Sequence, residues 1–397
     1  MIQGHGDDRY RFNREIRADF SSNVYSHVDL EPLKAHLRER LDVIGRYPEP
    51  EPYTLEKALA ARLAVDPAAV CVTSGATEAI YLIAHAFQGS HSTILAPTFS
   101  EYADACRMYH HSIAHFVAPV SVLLPKKGRC AENRPPLHSL IPDDSKSERS
   151  RAGGISGREH FSASGTKYQS EADRAMRCRV EPGMTMVWLC NPNNPTGHVL
   201  PKKELTDAIE EHPETVFVMD QSYGFFTQEP LLSASQGVRY PNVLQLLSMT
   251  KRYAMPGLRL GYVTGHPALI EKIRAIRMPW SVNALAIEAG RYLTEHPDTA
   301  PIDLPALLAE TRRLRNQLNK IPGLTAEPTK THFFLCRIAQ GRAADLKQRL
   351  AEDYGLLIRD ASNFEGLDEH YFRIATQTQE ENDQLVEAIQ SILKENG

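Results

Sequence analysis

At 397 residues the chain is too long for one ordinary compact core and suits two domains, or one large α/β domain with a smaller partner. A hydrophobic fraction of 42% and a charged fraction of 24% are those of a soluble globular protein, and no apolar run approaches the roughly 20 residues of a membrane helix. A net charge of −4 gives no overall pull toward nucleic acid, and six scattered cysteines without a Cys-x-x-Cys pair argue against a disulfide framework or a thiolate zinc site.

The amino-terminal stretch "MIQGHGDDRYRFNREIRADF" has no apolar run following a basic one, so a cytoplasmic protein is expected. Short apolar runs then alternate with helix-like stretches: "AVCVT" and "ATEAIYLIAHAF", "STILA" and "EYADACRMYH", "MTMVWLC" and "KKELTDAIEEH", followed by "TVFVMD", "NVLQLLS" and "LRLGYVTG". This alternation predicts an α/β fold with a mainly parallel sheet covered by helices, its functional residues beyond the strand ends. After about residue 265 longer amphipathic stretches such as "LPALLAETRRLRNQLNKI" lead into "HFFLCRI" and "YFRIA", which read as a smaller α+β domain. The expected division is an arm at 1–45 that forms part of the small domain, a large domain at 46–275 and a small domain at 276–397. An insertion at about 128–179, rich in Ser, Gly, Arg and Glu, interrupts the rhythm. The histidines of "MYHHSIAHF" (His110, His111, His115) suit a partly exposed strand better than a metal site, since neighbours on a strand point opposite ways.

Polar clusters stand at four strand ends. "VCVTSGATEA" puts Ser74, Gly75, Ala76 and Thr77 between a strand and a helix, where free N–H groups form a phosphate seat, although Ser-Gly before a helix is also plain capping chemistry. "WLCNPNNPTG" breaks a strand into two Asn-Pro steps, which restrict the direction of the Asn194 amide. "TVFVMDQSY" ends an apolar strand in Asp220, with Tyr223 three residues on, and a carboxylate buried there needs a partner such as a protonated ring nitrogen. "LLSMTKRYAMPGLRLGY" gathers Ser248, Thr250, Lys251 and Arg259, and a lysine is costly to bury unless it is paired or chemically used. Together these are the parts of a pyridoxal 5′-phosphate site: a phosphate cradle, an acid for the ring nitrogen, a hydroxyl and amide for the phenolic oxygen, and an amine able to form a Schiff base.

The ordered set "SGATE", "NPNNPTG", "DQSY", "SMTK" and "PGLRLGY" resembles the fold type I aminotransferases of class I/II over nearly the whole chain outside the insertion. That resemblance implies that Tyr102 stacks on the cofactor ring, that Asn194 and Tyr223 contact its phenolic oxygen, and that Lys251, Asp220 and Tyr223 are catalytic. It also implies a homodimer with sites at the interface, in which Tyr47 of "GRYPEP" reaches the neighbouring subunit's phosphate. Finer features, "HG", "DFSSN", "RMPWSVNALA" and "LLIRDASNFEGLDEHYFRIA", look most like the branch of threonine-phosphate decarboxylases, which make aminopropanol phosphate in cobalamin biosynthesis. Histidinol-phosphate aminotransferases are the close relatives and the alternative activity. By the same resemblance Arg373 holds a substrate carboxylate, while His5, Gly6, Asn23, Asn194 and Arg359 line the rest of a pocket for a small amino acid phosphate. Asp7 stands where many relatives carry a second glycine after "HG".

Overall fold

A computed structural model describes residues 6–117 and 185–395; the insertion expected at about 128–179 lies outside the described residues. After the two-residue strand β1 (Ala18–Asp19), seven strands build the main sheet: β2 (Val70–Thr73), β3 (His91–Ala96), β4 (Ser112–Val117), β5 (Thr185–Cys190), β6 (Val216–Asp220), β7 (Val243–Ser248) and β8 (Gly261–Gly265). Their order is β2-β8-β7-β6-β5-β3-β4. All neighbours pair parallel except β8, which runs against both β7 and β2. Every residue of β2, β6 and β8 is buried, as a sheet covered on both faces requires. Helices Gly75–Ala86 and Glu101–Met108 pack on it through Ile80, Ile83, Tyr102 and Cys106.

The chain then forms β9 (Leu324–Ala326), β10 (Phe333–Ile338), β11 (Leu356–Leu357), β12 (Arg359–Asp360) and β13 (Tyr371–Ala375). Four of these make an antiparallel sheet in the order β12-β13-β10-β9, while β11 pairs in parallel with β1. Helices Leu304–Leu318 and Gln379–Glu395 cover this sheet through Leu314, Leu318, Leu385 and Ile389, in a core that also takes Ala18 and Phe20 from the amino-terminal segment. Both sheets lie within one compact unit. No described helix is long and apolar enough to cross a membrane.

The histidine cluster differs from the expectation of a strand. His110 takes φ 60° in the turn after helix Glu101–Met108, and only His115 lies on β4. His111 is buried, its ring nitrogens 2.8 Å from Ser92 Oγ and 2.8 Å from the Ala84 carbonyl oxygen, so its polarity is used inside the fold.

A buried charge cluster fixes β2, whose end carries Ser74 and Gly75. Glu56 meets Arg274 and Arg277 at 2.7 Å each and accepts the Val72 N–H at 3.0 Å. Arg277 also donates to the Val72 carbonyl at 3.1 Å, and Arg274 to the Val70 carbonyl at 2.6 Å. The side chains of Glu56 and Arg277 are 1% and 2% exposed, so removing the acid leaves the buried guanidinium with only the solvent-facing Glu51 at 3.1 Å. Glu56→Ala is expected to lower the unfolding free energy by about 3–5 kcal/mol in denaturant titration. A loss below about 1 kcal/mol, the worth of a surface pair, would show that the cluster does not clamp the strand.

Candidate active site

The carboxyl ends of the parallel strands converge on a cavity of ≈ 250 Å³. Asp220 is the last residue of β6, Cys190 of β5 and Ser248 of β7, so all three reach the same margin of the sheet. Because β8 runs the other way, its first residue lies there too: Gly261 pairs with both Thr73 and Ser248. That reversal brings Arg259 back beside Lys251 and the start of helix Gly75–Ala86.

An anion cradle follows from these placements. The helix start offers the unpaired N–H groups of its first turn at Ala76 and Thr77, both on the cavity wall. Gly75 has φ +79°, and a Cβ there would lie 2.6 Å from Arg259 Nη2, so only glycine lets the guanidinium cross the helix start. The Ser248 and Thr250 hydroxyls stand 2.7 Å apart, and Arg259 is itself held by donating to the Pro256 carbonyl at 3.0 Å. Two hydroxyls, a guanidinium and a helix terminus aimed at one space suit a phosphate dianion.

Asp220 supplies the acid. It is 5% exposed, one oxygen accepting the Ser222 N–H at 2.8 Å and the other the Tyr102 hydroxyl at 2.7 Å. Burial raises its pKa, while hydrogen bonds from Ser222 and Tyr102 and the charge of Lys251 favour the ionised form. Among the described residues it makes no salt bridge, so this carboxylate suits a cation inside the cavity, such as a protonated pyridine nitrogen. Tyr102, fully buried, stacks on Trp188 with centroids 5.9 Å apart.

Lys251 lies on the cavity wall and donates to the Ser22 carbonyl at 2.9 Å. Protein packed around the amine lowers its pKa to about 8, chiefly by desolvation and further by the charges of Arg373 and Arg259. Arg373 donates to Asn194 Oδ1 and to the Ser21 carbonyl, and Arg359 to Asn363 Oδ1 at 2.8 Å and to the Asp360 carbonyl. Burial pulls these guanidinium pKa values down to about 10 and about 9, with Arg373 opposing Arg359. They are 4% and 5% exposed, and neither forms a salt bridge among the described residues. Tyr223, also on the wall, has its hydroxyl pushed up to about 12 by burial, against the pull of Arg373 and Asn23.

Of the residues expected from sequence, the cavity brings together Gly6, Ala76, Thr77, Tyr102, Asn194, Asp220, Tyr223, Ser248, Thr250, Lys251, Arg259, Arg359 and Arg373. Gly75 sits behind the cradle under Arg259, and Asn23 is fully buried behind the wall rather than on it. Tyr47 is 85% exposed against Trp280, apart from the cavity of its own chain, and His5 lies outside the described residues. Sequence reasoning missed Ser21, Ser22, Cys190, Ser222 and Asn363. Ser222 was recoverable from its place two residues after Asp220, where an N–H turns back to a carboxylate; Ser21 and Ser22 act through backbone carbonyls, which no residue type announces.

The sequence profile described as aminotransferase class I and II matches residues 16–118 and 169–389. The chain belongs to that family. The L-threonine-O-3-phosphate decarboxylase from Porphyromonas gingivalis is similar in structure, with a TM-score of 0.77 and 35% identity over 94% of this chain and 99% of that one. The threonine-phosphate decarboxylase of Salmonella typhimurium is 28% identical over 94% of this chain and 91% of its own length. A histidinol-phosphate aminotransferase of Desulfitobacterium hafniense is 28% identical over 88% and 84%.

Pyridoxal 5′-phosphate is the cofactor of this family, and the residues present fit it. The Gly75–Arg259 cradle takes an anion, Asp220 takes a cation, and Lys251 offers an amine whose proton is weakly held. Its folded pKa lies below the ordinary 10.5, so the reactive neutral amine appears as pH rises through about 8. Between about 8 and 10.5 the unfolded chain keeps a proton that the folded chain has released, so this group makes the cofactor-free protein more stable as pH rises through that window. The rate at which the cofactor-free protein takes up pyridoxal 5′-phosphate is expected to climb between pH 7 and pH 9 with its midpoint near 8, with Lys251→Ala forming no yellow adduct. A midpoint near 10.5, or the same adduct in the variant, would remove this lysine from the role.

Proposed function

We propose that the chain is a pyridoxal 5′-phosphate-dependent carboxy-lyase acting on a phosphorylated amino acid, L-threonine O-3-phosphate, to give aminopropanol phosphate for cobalamin biosynthesis. The observation that carries this reading is the pair Arg373 and Arg359, both more than nine-tenths buried beside Lys251 and neither in a salt bridge among the described residues. Buried guanidinium groups call for anions, and two of them on one cavity suit a substrate with both a carboxylate and a phosphate. The likeness to threonine-phosphate decarboxylases along almost the full chain supports the same substrate class.

When bound, the cofactor offers an aldehyde for the amine and a conjugated ring that draws electrons from one bond at the substrate's α-carbon. The protein decides which bond. Arg373, gripped by Asn194 and the Ser21 carbonyl, fixes the direction of the substrate carboxylate and so holds its bond to the α-carbon in the orientation that breaks. Arg359, held by Asn363 and the Asp360 carbonyl, receives the phosphate at the far end. Lys251, with its pKa of about 8, is suited to hand a proton to the α-carbon once carbon dioxide has left. The alternative, amino transfer from histidinol phosphate, is favoured by the histidinol-phosphate aminotransferases among the relatives. That substrate has one anionic group and leaves an arginine free for the carboxylate of a keto-acid acceptor. Incubation with threonine phosphate is expected to release carbon dioxide with no keto acid added. Strict dependence on 2-oxoglutarate, with a keto acid as product, would defeat the decarboxylase and leave the aminotransferase.

We further propose a homodimer with Tyr47 serving the partner's site. Leu41, Ile44, Tyr47 and Trp280 are all exposed, and Tyr47 rests 5.6 Å from Trp280. A cluster of large apolar side chains on one surface suits a protein partner. Sedimentation is expected to give a dimer, and Tyr47→Ala to bind the cofactor about tenfold more weakly, the worth of one hydrogen bond to a charged group. A monomer that binds cofactor normally would refute the arrangement.

A further inference from the structure

Gly6 and Asp7, far from the rest of the site in sequence, stand on the cavity wall. Asp7 takes φ 58° and donates its N–H to Ser21 Oγ at 2.7 Å, while its carboxylate meets Arg9 Nε at 2.5 Å. Ser21 Oγ donates in turn to Asp19 Oδ1 at 2.6 Å, and the second Asp19 oxygen lies 3.6 Å from Arg9 Nη2, so the contacts close a ring through Asp7, Ser21, Asp19 and Arg9. A Cβ on Gly6 would run into the Ser21 carbonyl oxygen, the same oxygen that accepts from Arg373. The amino-terminal wall and the grip on that guanidinium therefore meet at one residue.

Asp8, the next residue, is anchored elsewhere. It is 5% exposed, and one of its carboxylate oxygens meets Lys347 Nζ at 2.5 Å. The Lys347 side chain is itself 12% exposed, and among the described residues it is the one cation within salt-bridge distance of Asp8. Lys347 stands on helix Ala343–Arg349, which is fixed by Ala343 and Leu346 in the core of the antiparallel sheet. The Arg9 and Asp7 side chains are about half exposed, and ion pairs open to water hold a chain only weakly. A buried pair is different, because separating it leaves an uncompensated charge. A non-glycine residue at positive φ persists only where its surroundings over-determine it, and for Asp7 the firm restraint is the buried pair one residue on.

We propose that Asp8 and Lys347 are positioning residues: their buried ion pair pins the chain just after Asp7 and keeps the Gly6–Asp7 wall seated on Ser21, so that substrate meets the wall and the Arg373 guanidinium already in place. Without the pair the segment leaves Ser21 for much of the time, and substrate has to bind the fraction of molecules still seated. Affinity then falls by that fraction, while turnover after binding is retained. The inference rests on the proposed function in one respect: the molecule bound against Arg373 is the amino acid phosphate.

Holoenzyme carrying K347M, which keeps an unbranched stem and removes the charge, tests this. KM for threonine phosphate is expected to rise about tenfold with kcat within about twofold of the wild type. Trypsin is expected to cut after Arg9 and Arg11, both exposed, about tenfold faster, followed by mass spectrometry of the released amino-terminal peptides. K347R, which keeps the charge, is expected to recover both values. D8N takes the place of K347M if that variant does not fold, with the same expectations. An unchanged KM, with or without a loss of kcat, overturns the proposal, as does an unchanged rate of cleavage or a K347R protein as impaired as K347M. A wild-type protein that releases no carbon dioxide from threonine phosphate defeats the decarboxylase reading instead; the same KM comparison made with histidinol phosphate, together with the cleavage rate, then decides the role of the pair.

Discussion

Four cationic side chains, Lys251, Arg259, Arg359 and Arg373, share one cavity, and the rest of the site is organised by the need to keep them from repelling one another. Repulsion is relieved at the weakest base. The guanidinium groups hold their protons even when buried, whereas the amine, set among them, gives its proton up near pH 8. The same crowding that would destabilise a lysine elsewhere makes this one a nucleophile. Asp220 makes no salt bridge with the cluster among the described residues; its oxygens accept from Ser222 and Tyr102, and it acts on Lys251 only through its charge. Positive charge is thus kept for incoming anions and the Asp220 carboxylate for an incoming cation.

Neutral dipoles supply the restraint that carboxylates would normally give. Arg373 is held by an amide oxygen and a backbone carbonyl, Arg359 by an amide oxygen and a backbone carbonyl, and Lys251 by a backbone carbonyl. Such partners orient a cation without cancelling it, so its full charge remains available to a ligand in a low-dielectric setting. The two sheets contribute differently. The parallel sheet brings Asp220, Ser248 and the Gly75 helix to one margin, while β12 and β13 of the smaller sheet present Arg359 and Arg373 in register with each other.

Much of this could be read from the chain alone because strands buried on both faces are written as unbroken apolar runs, and the runs ending in "MD" and "LLS" stop where the chemistry begins. Motif residues such as Asp220, Lys251 and Arg259 carry their function in side chains, so residue type and spacing reveal them. The amino-terminal segment is different. Ser21 and Ser22 act through carbonyls on partners 352 and 229 positions away, and neither local pattern nor side-chain identity encodes so distant a backbone contact. The misread pair His110 and His111 shows that the turn before β4 takes precedence over the alternation that would have extended that strand backwards.

The single reversed strand of the main sheet has an evolutionary corollary. Since β8 returns antiparallel to β7, the twelve-residue loop-and-turn between Ser248 and Gly261 is bounded at both ends by one rung of the ladder, and Gly261 is pressed so close to Ala76 that a side chain there would approach its nitrogen to 2.7 Å. Nucleophile, hydroxyl pair and guanidinium therefore sit on one stretch of chain with fixed endpoints. Insertions and deletions should be purged from it while accumulating freely elsewhere on the surface, since a shift of one rung turns every side chain of the strand to the opposite face.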